Sequence, residues 1–469
     1  MGQRYMCGVG SVGLGEAAAS DPMNAPMSSS ASTVIGPSQG GERRIPGNTL
    51  FWAFQSYVVI AVACSSFFPI LFRFQEHVVI ILAVLCLGRC WLENVNPWIR
   101  SPLDLPLWLF ITWVLCTVPF ATDPSYSFAE WKKFVAQVVV LYWSLLVLHR
   151  RRQGDLPRHI LWALVLGGAV LALYALVEFV DRGGTWKDRF VRAHAFGSDY
   201  NWLSTYMVMT IPVVGSLVVI SRIAWVRGTE LVALALTVAA QVFSYTRGGW
   251  LGHAAQGVTL ALIVGGRRLA LVVLGVLAMA GAGLLVASQV GFQKDTVDST
   301  TVDTRLAVWA IGLREITTHP VVGIGYGNNS FIKKFPQYSP QVQAQVPDRE
   351  RVIPAMHSTF LMVALGSGLP ALVFFVWIFI ALVRRLIPVP WLSDRGDRFT
   401  VMAVGIGLAV IGFGVRNLFD YMFMGSLAHV FWLLAAIGIT VTSPNWRRLV
   451  TEQEQDDQQA VTPELQAPA

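Results

Sequence analysis

Charge is scarce in this chain. Asp, Glu, Lys and Arg make up 13% of it, where soluble domains carry about 25%, which excludes a soluble enzyme held by a single anchor. Cysteine is equally thin. The five residues Cys7, Cys64, Cys86, Cys90 and Cys116 are odd in number and four lie in apolar runs, which argues against a disulfide framework. Cys86 and Cys90 stand at i, i+4, a spacing that also suits a metal. No His or Cys partner lies nearby, however, and they read as small apolar residues packed between helices. No secretory signal is expected either, because residues 1–45, rich in Gly, Ser, Ala and Pro, contain no apolar run after a basic start. Their composition predicts disorder, and Met23 and Met27 are alternative starts.

Apolar residues are abundant, at 54%, with 17 Trp and 26 Phe, the aromatics suiting lipid–water interfaces. A span needs roughly 20 apolar residues, and the chain shows about twelve such candidates. They are Leu50–Phe72, His77–Leu92, Leu105–Ala121, Phe134–Leu148, Ile160–Val180 and Trp202–Ile220, then Leu231–Tyr245, Gly249–Val264 and Leu269–Val290. After a long polar interval come His357–Val383, Phe399–Gly414 and Met424–Val441. The expected fold is an all-α polytopic membrane protein. Its organisation reads as a disordered extension (1–45), spans one to nine (46–290), a large loop containing helices (291–356), the last three spans (357–445) and a disordered tail (446–469).

Basic residues orient the bundle. Arg43-Arg44, Arg150-Arg151-Arg152 with Arg158, Arg222 and Arg227, Arg267-Arg268, Arg384-Arg385 with Arg395 and Arg398, and Arg447-Arg448 all fall on one side of that arrangement. By the positive-inside rule this side is cytoplasmic. Both termini are then cytoplasmic and the Thr301–His357 loop faces outward. The net charge of +7 follows from this topology and calls for no nucleic acid.

A few cations break the rule on the outer side: Lys132-Lys133, Lys187, Arg189, Arg192, Arg247, Arg305 and Arg416. A cation at a span end costs about 2–3 kcal/mol unless paired, so such residues are candidates for function. The lysines and Arg416 have bland alternatives, since a lysine can snorkel and Asp420 stands four residues after Arg416. Arg247 sits in the turn Thr246-Arg247-Gly248-Gly249 with no acid nearby. Several arginines at one outer vestibule suit an anionic ligand, because guanidinium binds phosphate bidentately. Lipid-phosphate carriers fit that depth.

His357, next to Ser358 at the start of a span, can take a proton from an acceptor hydroxyl or serve as an interfacial hydrogen-bonding residue. Leu306, Trp309, Leu313 and Ile316 predict an amphipathic helix over Thr301–Thr318. It either carries Arg305 across the outer mouth or merely caps the bundle. His319-Pro320 reads as a helix stop, and His194 lies in an irregular loop. Gly323-Ile-Gly-Tyr-Gly327 lacks the strand and helix of a dinucleotide fingerprint and reads as a tight turn whose amides are also placed to bind phosphate. Asp348-Arg349-Glu350, the nearest approach to a paired-acid metal site, reads as a solvated face, so neither metal nor cofactor is expected.

In order and spacing, several blocks resemble the O-antigen ligase and polymerase superfamily of bacterial inner membranes. They are Arg192-Ala-His-Ala-Phe-Gly-Ser-Asp-Tyr-Asn201, Ser244-Tyr-Thr-Arg247-Gly-Gly-Trp250, Arg305 with Trp309, His319-Pro-Val-Val-Gly-Ile-Gly325, and His357-Ser358. The likeness runs from Trp131 to Tyr421. Ligases show His, then Asn, Ser or Gln, nine free positions, Gly, two free positions, and Gly, Thr or Tyr. His357, Ser358 and Gly368 fit, and Ala371 departs, which weakens the choice of ligase over polymerase. The resemblance implies a twelve-span, metal-independent glycosyltransferase of the C type. It implies transfer of a glycan, with inversion, from undecaprenyl diphosphate to lipid A–core on the periplasmic face of a Gram-negative inner membrane. Arg247, Arg305 and His357 match the ligase's functional residues. Arg192 and Arg416 are candidates to hold diphosphate or core phosphates, with Asn201, Trp309 and Lys133 as further substrate contacts. A polymerase using the same donor is the alternative within the superfamily, and a lipid-glycan or anion transporter the alternative outside it.

Overall fold

The computed structural model describes residues 72–92, 99–149, 156–185, 191–196, 199–289, 299–338, 356–387 and 397–461, with scattered positions from 58 to 68 and Val342. The chain divides into 1–49 and 50–469, and everything below concerns the second unit. The 1–45 extension, almost all of the first expected span, and Asp348-Arg349-Glu350 lie outside the described residues, as do Lys187 and Arg189.

Among the described residues every regular element is helical. The helices are α1 (Phe72–Leu92), α2 (Asp104–Thr117) and α3 (Pro124–Val135), the last continued through a π-wound stretch (Ala136–Trp143) into α4 (Ser144–His149). There follow α5 (Leu156–Asp181), α6 (Tyr200–Ile220), α7 (Ala224–Phe243) and α8 (Arg247–Gln289). The polar interval holds α9 (Ser299–Thr318) and α10 (Ser330–Lys334). The chain closes with α11 (Thr359–Leu386), α12 (Arg398–Phe419), α13 (Gly425–Val441) and α14 (Pro444–Val461).

Six of these, α5 to α8, α11 and α12, are long and apolar enough to cross a membrane, and α13 with the start of α14 makes a seventh if a 68° bend is allowed within one span. That is fewer than the expected twelve or so, for local reasons. The second and third expected spans are shorter apolar helices, the fourth is interrupted by the π-wound stretch, and the eighth and ninth form one element with a break at Gly266. The tail, expected to be disordered from 446, is helical to Val461. Trp446 and Val450, one turn apart, are buried there, and Trp446 packs edge-on against Phe399.

Helix α12 is the hub, packed against α6, α8, α11 and α13. Small residues permit this closeness: a Cβ on Gly405 would strike Ser216 of α6 at 2.5 Å. Helix α13 is buried on all sides from Ser426 to Val441, as an interior helix must be.

Helix α11 is broken at Ser367 and Gly368. Pro370 lacks an N–H and its ring excludes the carbonyl four residues back, which is that of Gly366. In an apolar surround each freed backbone group needs a partner, and the glycine-rich segment supplies it. Ile324 N–H donates to Leu365 O (2.9 Å), Gly325 N–H to Gly366 O (2.8 Å), and Leu369 N–H to Pro320 O (2.8 Å). Trp113 Nε1 donates to Ser367 O (3.0 Å). The segment is a turn, as expected, but these two amides serve the broken helix and are not available to phosphate.

Helix α9 packs against α11, with a correction to its register. Leu306 and Leu313 are exposed, and the inward face is Arg305, Val308, Trp309, Gly312 and Ile316. An i, i+3, i+4, i+7 stripe lies there because the face follows Gly312, where a Cβ would collide with the Met356 side chain.

Gly368 has φ +80, and a Cβ there would collide with the Val321 carbonyl. Gly368→Ala is expected to destabilise the protein by more than about 1 kcal/mol, read as a lowered thermal midpoint in detergent. Gly257→Ala, at a position with open space around it, should not. Equal midpoints for the two variants would contradict the account of the break.

Candidate active site

The start of α11 and the end of α12 meet at one end of the bundle, and the chemistry-bearing side chains gather there. Ser358 caps α11 by accepting from Leu361 N–H. Thr359 Oγ1 donates to Asn417 Oδ1 (2.5 Å), which also accepts from Met422 N–H (3.2 Å). These bonds lock the two helix ends together.

His357 precedes that cap with φ 45, a left-handed conformation that costs an L residue roughly 1–2 kcal/mol. Its Nδ1 faces Asp420 Oδ1 at 3.4 Å. Its Nε2 is buried and has no hydrogen-bond partner among the described residues. Asp420 Oδ1 also accepts from Tyr421 N–H at 3.0 Å.

The second oxygen of Asp420 belongs to Arg416. The guanidinium is 1% exposed, and Nη2 donates to Asp420 Oδ2 (3.2 Å) and to Asn201 Oδ1 (2.9 Å). The Asn201 amide is bonded at both ends, since Nδ2 donates to Asp199 Oδ2 (2.9 Å), and Asp199 itself caps α6 through Asn201 N–H. Of the two readings open for Arg416, pairing with Asp420 at i+4 is the one observed.

Arg247, the first residue of α8, is exposed. The two glycines that follow have separate reasons: a Cβ on Gly248 would fall 2.9 Å from Arg416 Nη1, and one on Gly249 would collide with Ser204 and Gln241. The Arg247 turn therefore packs on the buried guanidinium. Arg305 reaches the same cluster from α9. Its charge acts on both Arg416 and Asp420, and its buried Nε has no hydrogen-bond partner among the described residues. Trp309, one turn on, donates its indole N–H to Met356 O at 2.6 Å.

Burial alone would raise the Asp420 pKa. The His357 hydrogen bond and the charges of Arg416 and Arg305 outweigh it, and the carboxyl ionises below its ordinary range.

The remaining candidates are more distant. Arg192 stacks over the Tyr200 ring, 4.4 Å from its centre, next in sequence to Asn201. Lys133 makes an exposed i, i+3 pair with Glu130 at 2.8 Å, and no described contact links it to the cluster. His194 faces Glu178 at 3.2 Å, and His319 faces Glu315 at 3.0 Å where α9 stops. Among the described residues no three His, Cys, Asp or Glu side chains group as metal ligands do. Sequence reasoning found Asp420 only as a partner of Arg416. Its link to His357 joins positions 63 apart, which no helical period reveals.

A depressed folded-state pKa stabilises the fold above the unfolded value, and that contribution is lost as pH falls through the folded value. The thermal midpoints of wild type and Asp420→Asn should therefore differ above about pH 4 and converge on further acidification. A gap independent of pH would show that the carboxylate's charge is not what matters.

No curated protein matches this chain. A model of the O-antigen ligase family matches residues 232–376, a narrower stretch than the likeness read from the sequence. It contains Arg247, Arg305, Trp309 and His357 and leaves out Asn201, Arg416 and Asp420. The match to the O-antigen ligase family falls on the turn, the helix and the histidine that converge at one end of a multi-pass helical bundle.

Proposed function

We propose that the chain transfers a glycan from undecaprenyl diphosphate to a sugar hydroxyl of lipid A–core, at the periplasmic face of a Gram-negative inner membrane. The observation that carries this reading is the His357–Asp420 pair, with Nδ1 facing the carboxylate and Nε2 buried without a described partner, beside the Arg305 charge. Asp420 orients the ring and stabilises the imidazolium. Nε2 takes the proton from the acceptor hydroxyl as its oxygen attacks the anomeric carbon in line. The bond from that carbon to the diphosphate oxygen breaks with inversion, in the manner of a C-type glycosyltransferase. Arg247 and Arg305 meet the charge that grows on the leaving diphosphate, a role that needs no metal in this scheme. Arg192, on the Tyr200 face, holds phosphate farther out in this scheme. Arg416, with Nη2 engaged by Asp420 and Asn201, acts through the carboxylate.

A ligase-null Gram-negative host carrying this chain should regain a banded lipopolysaccharide ladder. His357→Ala and Arg247→Ala should abolish it, because losing one such electrostatic donor costs roughly 10²–10³ in rate. An unchanged ladder in both variants would sink the residue assignment. Ala371, fully buried just past the Gly368 break, stands where ligases carry Gly, Thr or Tyr and favours a second reading as O-antigen polymerase. Rescue of a polymerase-null host instead would select it.

Purified donor and acceptor with the protein in detergent should give product at an undiminished rate in the presence of a chelator. Loss of product that Mg²⁺ or Mn²⁺ restores would overturn the arginine-based scheme, and absence of product altogether would favour a transporter.

A further inference from the structure

The rotation that makes His357 left-handed is the one about its N–Cα bond, and its reference plane is the peptide between Met356 and His357. The carbonyl of that peptide is held by Trp309, whose indole N–H donates to Met356 O at 2.6 Å. On its other side His357 runs directly into the Ser358 cap of α11. The backbone on both sides of the histidine is therefore pinned, once by α9 and once by α11. The Met356 side chain is fully buried and lies over Gly312, where a Cβ would collide with its sulfur and methyl group. Arg305, Trp309 and Gly312 stand at i, i+4 and i+7 on one face of α9, so one helical surface presents the cation, the hydrogen bond and the slot.

We propose that Trp309 is a positioning residue for His357, holding the Met356 carbonyl so that the histidine keeps the backbone conformation in which Nδ1 meets Asp420 and Nε2 faces the acceptor. This rests on the reading of His357 as the base of glycan transfer. It departs from a role for Trp309 as a substrate platform, because the polar atom of the indole is already engaged within the protein. A left-handed histidine has a more favourable alternative nearby, and releasing the carbonyl allows the ring to move off Asp420. Misplacement of a reacting group on the order of 1 Å costs roughly 10²-fold in rate.

Trp309→Phe keeps an aromatic ring and removes the N–H, and Trp309→His keeps a ring N–H on a smaller side chain. The expected result is a large fall in kcat with an unchanged donor KM for Trp309→Phe, and a higher kcat for Trp309→His than for Trp309→Phe. In a His357→Ala background Trp309→Phe should add nothing. A substrate platform predicts the reverse: a raised KM, better retention by Phe than by His, and multiplicative effects with His357→Ala. A second readout needs no turnover. The rate at which diethyl pyrocarbonate modifies His357, followed by peptide mass spectrometry, should rise several-fold in Trp309→Phe and stay unchanged in Leu313→Ala on the exposed face of the same helix. If wild type transfers no glycan but this rate responds, the functional reading fails and the positioning role stands. If the rate does not respond, or kcat survives in Trp309→Phe, the positioning role is wrong.

Discussion

A guanidinium removed from water inside a membrane bundle has to be answered by a carboxylate, and most of the architecture around the site follows from that requirement. Arg416 lies on α12, the helix that touches four others, and a buried charge at this depth is costly unless paired. Asp420 supplies the negative charge, Asn201 a second acceptor from α6, and Gly248 the space. Three helices are thereby held in register by one side chain. The carboxylate that neutralises Arg416 still has an oxygen to offer, and His357 faces it. A structural ion pair and a candidate catalytic pair thus share one acid.

A second constraint is backbone satisfaction without water. The break in α11 would leave carbonyls exposed to an apolar surround, and the glycine-rich segment after α9 runs alongside to receive them. At Gly323 and Gly368 the two backbones approach too closely for side chains, and both glycines take positive φ. The same crossing anchors the loop that carries α9, so the helix delivering Arg305 and Trp309 is tied to the helix that begins at His357.

Composition and hydropathy were enough to read an all-helical, multi-pass fold, because length and apolarity of a span are local properties. Arg247 and Arg305 stand out in the sequence as outward cations and His357 as a histidine at a span start, each a local feature. What escaped was relational. The π-wound stretch at Ala136–Trp143 leaves no mark in hydropathy. The inward face of α9 was misread because Leu306 and Leu313 are its most apolar residues, whereas a slot for Met356 decided the register. Asn201 and Trp309 read in the sequence as substrate contacts, and only the folded chain shows the bonds from Arg416 to Asn201 Oδ1 and from the Trp309 indole to Met356 O. Asp420 could be paired with Arg416 by spacing, but its link to His357 needed two helix ends to meet.

The stretch that matches the O-antigen ligase family ends at 376, while Asp420, which faces its histidine, and Arg416, on which its glycine turn packs, lie after it, and Asn201, which holds Arg416, lies before it. The working unit is therefore not a contiguous cassette. A chimera that replaced only the matched segment would part the histidine from the Asp420 and Arg416 it packs with here. To move the site intact, the ends of α6 and α12 must travel with it.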